Sequence, residues 1–414
     1  MSSALRPARL VLGPLHLLAG STPPQATDTV ALVPLRAAEQ ENPTNTIIMA
    51  WLDLHPTTAT AYTVDGNRLA TASLDNATLF NHGRPSRALQ LLAAQTASDR
   101  AASTSTWAPL FYVSATPAGG LLAIHIYSQV RFHPDDACFI RTTEAPLHVK
   151  HEDFSWLRDA IHLHRNSASF LNSHECQYRT YFPGRELEHK YTLPANTDIW
   201  DLTLDTLQDL STGRLPGFHT KYRDELQRWD YLNHVFEITE PENEAGYVSL
   251  IPMTNGAYLV KRKWFSRDAF ARREHHDFNV SITGSLQNYI ETALKLLAHP
   301  LPAYRRIRYD VNAESLRTGH TYAVLHDRCT LIDAPDVALT QCEVEYNRSR
   351  TALPARSSAI FTEMNDLANA VERIHSEHHI ESQRGVYSKL TFLRKHTPRL
   401  DDAAGDHAVG RRSG

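Results

Sequence analysis

The chain has 414 residues, 42% of them hydrophobic and 21% charged, a composition that predicts a soluble globular protein of two or three domains. Its formal net charge of −4 gives no overall field that would attract nucleic acid or an anionic membrane surface, so we predict neither partner. Four irregularly spaced cysteines do not suit a disulfide framework, and no apolar window is long enough to cross a bilayer. We therefore expect a cytoplasmic protein with reduced thiols.

The first part of the chain contains no recognisable catalytic motif. Residues 1–45 mix Pro, Ala, Thr and Gln without steady periodicity, which predicts a flexible leader. Residues 46–175 are mainly extended in pattern, with helical spacing only in 84–101 and 153–163, so they indicate a β-rich N-terminal domain whose role stays open.

Strands and helices alternate from residue 180 to residue 396. A Pro-Gly turn at 183–184 precedes the first strand, and the helices are predicted over 198–210, capped by Asn196 or Thr197, then over 285–298 and 359–375. The polar, glycine-containing segment 397–414 is predicted to be a disordered tail. The remaining extended runs are 234–238, 247–251, 258–265, 270–280, 304–311, 321–331 and 339–347.

Charged residues recur two apart on several of these strands. Glu186, Glu188 and Lys190 share one face of the first strand, because side chains alternate along a strand. Charges on an ordinary buried face would each cost several kcal/mol, so we interpret the face as a water-filled barrel interior. Carboxylates suit a divalent cation and clustered Lys and Arg suit polyphosphate oxygens. The other pairs are Lys261 with Lys263, Arg272 with Glu274, Arg306 with Arg308, and Glu343 with Glu345.

The segment E-L-E-H-K at 186–190 resembles the E-x-E-x-K signature of CYTH proteins, the triphosphate tunnel metalloenzymes that include class IV adenylate cyclases and thiamine triphosphatases. The order of the following motifs is also similar: K-R-K, R-R-E, a helix, R-R-I-R, a strand reaching Asp327, E-V-E and a late Y-S-K. The resemblance covers residues 180–396. It implies an α+β fold, mainly antiparallel β, in which an eight-stranded triphosphate-tunnel β-barrel flanked by helices follows a smaller β-rich N-terminal domain.

The resemblance also implies roles for particular residues. Glu186, Glu188, Glu343 and Glu345 would hold Mg²⁺ or Mn²⁺. No clean R-x-R precedes the basic strand, which leaves open whether Lys261 and Lys263 or Arg262 face the tunnel. Glu274 and Asp327 match the pattern less closely. The residues expected to bind phosphate are Lys190, Lys261, Lys263, Arg272, Arg306, Arg308 and Lys389.

Metal-dependent hydrolysis of a triphosphate-bearing small molecule is the leading prediction, with Glu188, Glu345 and Lys190 as catalytic residues. One alternative is nucleotidyl cyclisation of the adenylate-cyclase type. Another is an enzyme for an organic di- or triphosphate, such as a thiamine or prenyl ester. A third is a non-catalytic sensor of polyphosphate or nucleotide. In the organic-phosphate alternative, the aromatic residues that would line a cap are Trp51, Tyr62, Trp107, Phe111 and Tyr112.

Two further groups of residues invite a metal or redox interpretation. His375, His378 and His379 have helical spacing, but no acidic or Cys partner is placed beside them by the sequence, so we interpret them as a solvated helix end. Cys329 and Cys342 fall on adjacent predicted strands, where we interpret them as small buried hydrophobic residues.

Overall fold

The computed structural model describes residues 6–19, 23–37, 43–74, 78–97, 107–166, 178–354 and 357–397. By its internal contacts the chain divides into two units. Unit 1 comprises Met1–Tyr181, Glu314–Thr321 and Arg348–Ala359, and unit 2 comprises Phe182–Ala313, Tyr322–Asn347 and Ile360–Gly414. From the sequence, Glu314–Thr321 and Arg348–Ala359 were assigned to the second domain. Both segments adjoin the ends of long strands that otherwise belong to unit 2.

Unit 1 is built on one antiparallel sheet in the order β3-β10-β9-β8-β1-β2-β4-β5, with β11 paired to β9. A small ribbon, β6 with β7, and helices α1 to α3 accompany it. The strands are β1 Arg6–Pro14, β2 Thr29–Ala37, β3 Thr46–Ala50, β4 Thr58–Thr63, β5 Arg68–Ser73, β6 Phe80–Asn81, β7 Arg84–Pro85, β8 Trp107–Ala118, β9 Leu121–Phe132, β10 Asp136–Arg141 and β11 Leu147–Val149; the helices are α1 His16–Ala19, α2 Arg87–Thr96 and α3 Trp156–Asn166.

The prediction of a flexible leader over residues 1–45 is wrong for β1 and β2. Strand β1 lies between β2 and β8, where Leu10 and Leu12 belong to one hydrophobic cluster and Val11 to another. A strand that is covered on both faces reads as a continuous apolar run, so it lacks the alternation by which strands are recognised. Residues 1–5, 20–22 and 38–42 of the predicted leader lie outside the described residues.

Helices cover both faces of this sheet. Leu89 and Leu92 of α2 pack in one cluster, and Trp156 and Ile161 of α3 pack in the other. Each helix therefore buries one apolar stripe, which is what holds an amphipathic helix on a sheet.

Unit 2 contains an eleven-stranded antiparallel sheet in the order β13-β19-β20-β21-β12-β17-β16-β15-β14-β18, with β22 paired to β12. Strand β14 also pairs with β19, from Leu226 opposite Val311 to Asn233 opposite Tyr304. The strands are β12 Arg185–Leu193, β13 Phe218–Thr220, β14 Leu226–Glu240, β15 Gly246–Pro252, β16 Tyr258–Trp264, β17 Ala271–Val280, β18 Leu297–Pro300, β19 Tyr304–Ser315, β20 His320–Leu331, β21 Ala338–Ser349 and β22 Gln383–Gly385; the helices are α4 Ile199–Ser211, α5 Leu286–Thr292, α6 Ser357–Glu377 and α7 Lys389–Lys395.

The helices of unit 2 differ from prediction at their ends. Asp198, not Asn196 or Thr197, caps α4, and its side chain accepts from the backbone N–H of Trp200 at 2.9 Å. A carboxylate is favoured there because it satisfies free N–H groups and the positive end of the helix dipole. Helix α5 stops at Thr292, and the last two residues of the predicted helix, Leu297 and Ala298, belong instead to β18, which pairs with β14.

Helix α6 confirms its predicted apolar face. The predicted core positions are all buried there: Ile360, Met364, Leu367, Ala368, Val371 and Ile374. His375, by contrast, is only 1% exposed, so its interpretation as part of a solvated helix end is wrong. The predicted tail over residues 397–414 lies outside the described residues apart from Thr397. Within the described ranges, no helix has the length and hydropathy needed to span a membrane.

Candidate active site

Strand β12 shows how unit 2 places charge inside. Its apolar residues Leu187 and Tyr191 are buried on one face. On the other face Glu186, Glu188 and Lys190 are also buried, with exposed fractions of 8%, 1% and 3%. Both faces of the strand are thus removed from water, and the face that carries charge must be satisfied by other charged groups.

The strand register brings those groups together. Glu186 lies opposite Arg272 of β17, and Lys263 of β16 lies opposite Glu274 of β17. Directly opposed residues have Cβ atoms close enough for their side chains to interact. The pairing of β12 with β21 brings Glu188 opposite Glu345 and Lys190 opposite Glu343.

One group of ion pairs is centred on Lys263. Its Nζ lies 2.5 Å from Glu186 Oε2 and 2.9 Å from Glu274 Oε2, and Lys261 Nζ is 2.8 Å from Glu274 Oε1. Burial by itself would lower the pKa of Lys263, but Glu186 and Glu274 outweigh that effect and hold the pKa well above its ordinary value. The ammonium groups therefore stay charged inside the protein.

A second group is centred on two carboxylates, Asp327 and Glu343. Arg306 and Arg308 both bind Asp327 through two nitrogens, with Nε to Oδ1 distances of 3.0 and 2.6 Å. Lys389 Nζ lies 3.0 Å from Asp327 Oδ2 and 2.8 Å from Glu343 Oε1. Burial opposes ionisation of Glu343, but its cationic neighbours hold its pKa well below the ordinary value.

Three carboxylates, one of them the Glu186 that is bound to Lys263, form an acidic centre. Oxygens of Glu186, Glu188 and Glu345 lie within 4.8 Å of one another. Lys190 Nζ is 2.9 Å from Glu188 Oε2, and Arg272 contacts the other oxygen of Glu188. Burial is the main cause that raises the pKa of Glu345 to about 8, and the negative charges of Glu186 and Glu274 add to it. Opposed carboxylates repel one another, and hard oxygen donors of this kind fit Mg²⁺ or Mn²⁺.

Little free space remains between the charged side chains. The cavity they line has a volume of about 30 Å³, which holds little more than a water molecule. Its lining includes Tyr231, Asn233, Tyr247 and Tyr304, none of which the sequence predicted as site residues. The side chain of Tyr231 is neutral, and its hydroxyl oxygen accepts a hydrogen bond from Arg306 at 3.1 Å. A bulky anion therefore enters only when cationic side chains leave their carboxylate partners.

Asp310 is another residue that the sequence analysis missed. It follows Arg306 and Arg308 at the same two-residue spacing, and Trp229 Nε1 donates to its Oδ2 at 2.8 Å. Its Oδ1 is buried without a hydrogen bond. Burial is the main cause that raises the pKa of Asp310 to about 7, and the negative charge of Asp327 adds to it. The two-residue alternation was the available signal for it.

The sequence left open which side chains of β16 face the interior, and in the structure these are the lysines. Arg262 faces away from the acidic centre and binds Glu244 at 2.7 Å, whereas Lys261 and Lys263 line the cavity. Gly246 keeps β15 beside this strand: its φ is +139°, and a Cβ added there would lie 2.0 Å from the carbonyl oxygen of Lys263. Only glycine fits such a close approach.

The aromatic residues proposed for a cap are located in unit 1. Trp51, Trp107 and Tyr112 belong to one hydrophobic cluster, and Phe111, which is 0% exposed, belongs to the other. Tyr62 is partly buried and packs on Phe154 at 4.5 Å between ring centroids. The prediction that these side chains line a ligand cap is therefore wrong for the four buried ones, because their surfaces are already used in the core.

No protein-family model matches the sequence, and the curated proteins contain no match to it. Among solved structures, the chain is similar to the putative adenylyl cyclase HpAC1 from Hippeastrum, described as having a dominant triphosphatase activity. The identity is 13% and the TM-score 0.28, over 52% of this chain and 98% of that one. It is also similar to the S. pombe RNA triphosphatase Pct1 in complex with the Spt5 CTD, at 13% identity and a TM-score of 0.23, over 52% of this chain and 82% of that one. TM-scores at this level do not establish a common fold.

Proposed function

We propose that unit 2 is a metal-dependent phosphohydrolase that binds a triphosphate inside an eight-stranded β-tunnel. The pairing of β14 with both β15 and β19 supports closure, since the pairings run from β19 through β20, β21, β12, β17, β16, β15 and β14 and return to β19. The observation that carries the proposal is the convergence of buried cations and buried carboxylates on the inner face of these strands.

The acidic centre is the proposed metal site. Glu186, Glu188 and Glu345 would hold Mg²⁺ or Mn²⁺, with Glu343 nearby on β21. A divalent ion bound there would offset the repulsion among these carboxylates and supply positive charge to phosphate oxygens. In the structure Lys190 and Arg272 contact Glu188, so a divalent ion would bind here by replacing these cations as partners of the carboxylates.

The cations that bind Asp327 and Glu343 are the proposed phosphate ligands. Arg306 and Arg308 present planar guanidinium groups that suit two oxygens of one phosphate, and Lys389 adds a point charge. In the structure these groups bind Asp327 and Glu343. A triphosphate would replace those carboxylates as their partner, so the cations would keep a negative partner when it binds. Lys190, Lys261, Lys263 and Arg272 would hold the remaining phosphates.

The chemistry assigned to these residues is phosphoryl transfer to water. Charge that spreads over the transferred phosphoryl oxygens is stabilised by groups already held in place, so little reorganisation is needed during the reaction. Lys190 lies between Glu188 and Glu343 and would contact the phosphoryl group. Glu188 or Glu345 would orient the attacking water.

The test is phosphate release from inorganic triphosphate, ATP and thiamine triphosphate with Mg²⁺ and with Mn²⁺, with nucleotide products resolved by chromatography. We expect metal-dependent release that falls at least ~100-fold in Glu186→Gln and in Glu343→Gln, because several kcal/mol of charge stabilisation is lost. Glu242→Gln is the matched control, since Glu242 is exposed in the same unit.

The outcomes separate the competing functions. A cyclic nucleotide product would replace hydrolysis by cyclisation. Triphosphate binding without turnover on any substrate would identify a sensor or an enzyme for another organic phosphate. If neither binding nor turnover is found, or if the two variants retain full metal-dependent release, the tunnel is not the active site.

A further inference from the structure

Histidine and cysteine side chains that could bind a metal lie on the face of β20 and β21 opposite to the charged cavity. His326 of β20, Cys342 of β21 and His375 of α6 each offer a ligand atom, and these atoms lie within 4.8 Å of one another. We call them the Cys-His cluster. His326 directly precedes Asp327 and Cys342 directly precedes Glu343, so alternation places the cluster on the opposite face from the acidic centre.

The cluster is closed to solvent. The exposed fractions are 1% for His326, 0% for Cys342 and 1% for His375. In a neutral imidazole one nitrogen carries the proton and the other has a free lone pair, so each ring can donate one hydrogen bond and still bind one metal ion.

Hydroxyl groups orient both imidazoles. Thr203 donates its hydroxyl proton to the carbonyl oxygen of Ile199 at 2.6 Å, so its oxygen accepts from His326 Nδ1 at 3.2 Å. This bond places the ring proton of His326 on Nδ1 and the lone pair on Nε2. The Nδ1 of His375 lies 2.9 Å from Ser382 Oγ. Metal-binding histidines commonly use the second nitrogen in this way, which fixes the ring.

The remaining nitrogen of His375 has no partner in the described part of the chain. Its Nε2 is buried and makes no hydrogen bond. A buried polar atom left in this state is unusual, and an ion or a water is the ordinary explanation. Because Cys342 and His326 provide further ligand atoms at the same place, an ion accounts for all three side chains at once.

We propose that Cys342, His326 and His375 bind a single thiophilic d¹⁰ metal ion, Zn²⁺ or Cu⁺, that joins α6 to the outer face of β20 and β21. Thiolate and imidazole are the ligands these ions prefer. On binding, the metal–sulfur bond replaces the S–H bond of Cys342 and the proton leaves to solvent. The ion would then fix the strand positions that carry Asp327 and Glu343 on their inner face. This role is independent of the proposed hydrolysis.

Metal analysis of the full-length protein tests the proposal. We expect protein expressed in zinc- or copper-supplemented medium to retain one ion per chain after dialysis, and elemental analysis to show which metal it is. The buried position implies loading during folding, so the second arm refolds the protein with Co²⁺. A thiolate-to-cobalt charge-transfer band in the near ultraviolet is expected, and carboxylates cannot produce it.

Matched variants locate the site. Cys342→Ser should lose the band and the retained ion, whereas Cys329→Ser should keep both, because Cys329 is equally buried on the neighbouring strand but outside the cluster. His375→Gln should weaken binding, and Glu242→Gln, at an exposed position of the same unit, should not. If Cys342→Ser does not fold, the wild-type metal content and band decide the question. Wild-type protein with no retained metal and no band, or a band that survives in Cys342→Ser, would overturn the proposal.

Discussion

Strands β1 of unit 1 and β12 of unit 2 are both buried on both faces, but they differ in what one of those faces contains. In β1 the two faces carry Leu10 and Leu12 on one side and Val11 on the other. In β12 one face is apolar and the other carries Glu186, Glu188 and Lys190. An apolar face is the more stabilising choice, since burying ions costs free energy that their mutual attraction seldom exceeds. The proposed binding of a triphosphate gives the buried charge of unit 2 a purpose other than stability.

The largest expected effect on stability concerns the apolar sheet. Phe111→Ala should lower the free energy of unfolding of unit 1 by roughly 3–5 kcal/mol, because it removes a ring that is 0% exposed and leaves a cavity. Hydrogen exchange of peptides from unit 1, read by mass spectrometry, measures the change. Leu69→Ala is the control, since Leu69 is 46% exposed; equal exchange in both variants would show that the sheet is not packed as described.

Removing one charge from unit 2 should have a comparable effect that a ligand reverses. Asp327→Asn leaves Arg306, Arg308 and Lys389 with one buried carboxylate fewer, although Glu343 still contacts all three, and the loss of a buried charge partner costs roughly 3–5 kcal/mol. Inorganic triphosphate should restore most of the lost thermal stability, because it supplies the missing negative charge. Asp333→Asn, at an exposed position, is the control. Destabilisation that triphosphate does not reverse would assign Asp327 a structural role only.

A buried histidine, His164, should make unit 1 sensitive to acid. Burial, then Arg165, lowers the pKa of His164 to about 4, and both ring nitrogens lack hydrogen bonds. As the pH falls, the unfolded state binds a proton at this histidine before the folded state does. The free energy of unfolding therefore keeps its full value above pH 6.5 and decreases by about 3 kcal/mol as the pH falls toward 4. His164→Leu should flatten that pH dependence in denaturant titrations, whereas His162→Leu, at an exposed site, should not. An unchanged slope in His164→Leu would contradict the assignment.

Ligand binding should distinguish the two units most simply. Inorganic triphosphate at 100 times its dissociation constant should stabilise unit 2 by about 2.7 kcal/mol, through mass action on the folded state. Hydrogen exchange should slow in β12, β16 and β21 and remain unchanged in β8 and β9. Sulfate at matched ionic strength is the control. Equal protection of both units would indicate a nonspecific salt effect.

The sequence predicted the charged face of unit 2 better than it predicted the sheet of unit 1. Regular two-residue spacing of charge is visible without structure, and it predicted an inward-facing position for Lys190, Lys263 and Glu343, all of which are buried. Strand β14 was predicted only over 234–238, although it starts at Leu226. Its first half contains Gln227, Arg228 and Asp230 among its aromatic and apolar residues, so it lacks the regular hydrophobic alternation of a strand.

Neither the Cys-His cluster nor the contacts of Asp310 could be read from the sequence. His326 and Cys342 lie on different strands, and His375 lies on a helix some thirty residues farther along the chain. Their spacing follows no short ligand motif of the kind that marks many zinc sites. Pairing between strands and packing of α6 bring them together, and both depend on the whole fold.

The central claim is that the inner face of unit 2 binds a triphosphate together with a divalent metal ion. Crystals grown with Mn²⁺ and a non-hydrolysable triphosphate test it most directly, because anomalous scattering locates the manganese. We predict a manganese peak among Glu186, Glu188 and Glu345, with phosphate oxygens bound to Arg306, Arg308 and Lys389 in place of Asp327. Triphosphate bound elsewhere, or an inner face that keeps its ion pairs at saturating ligand, would contradict the account.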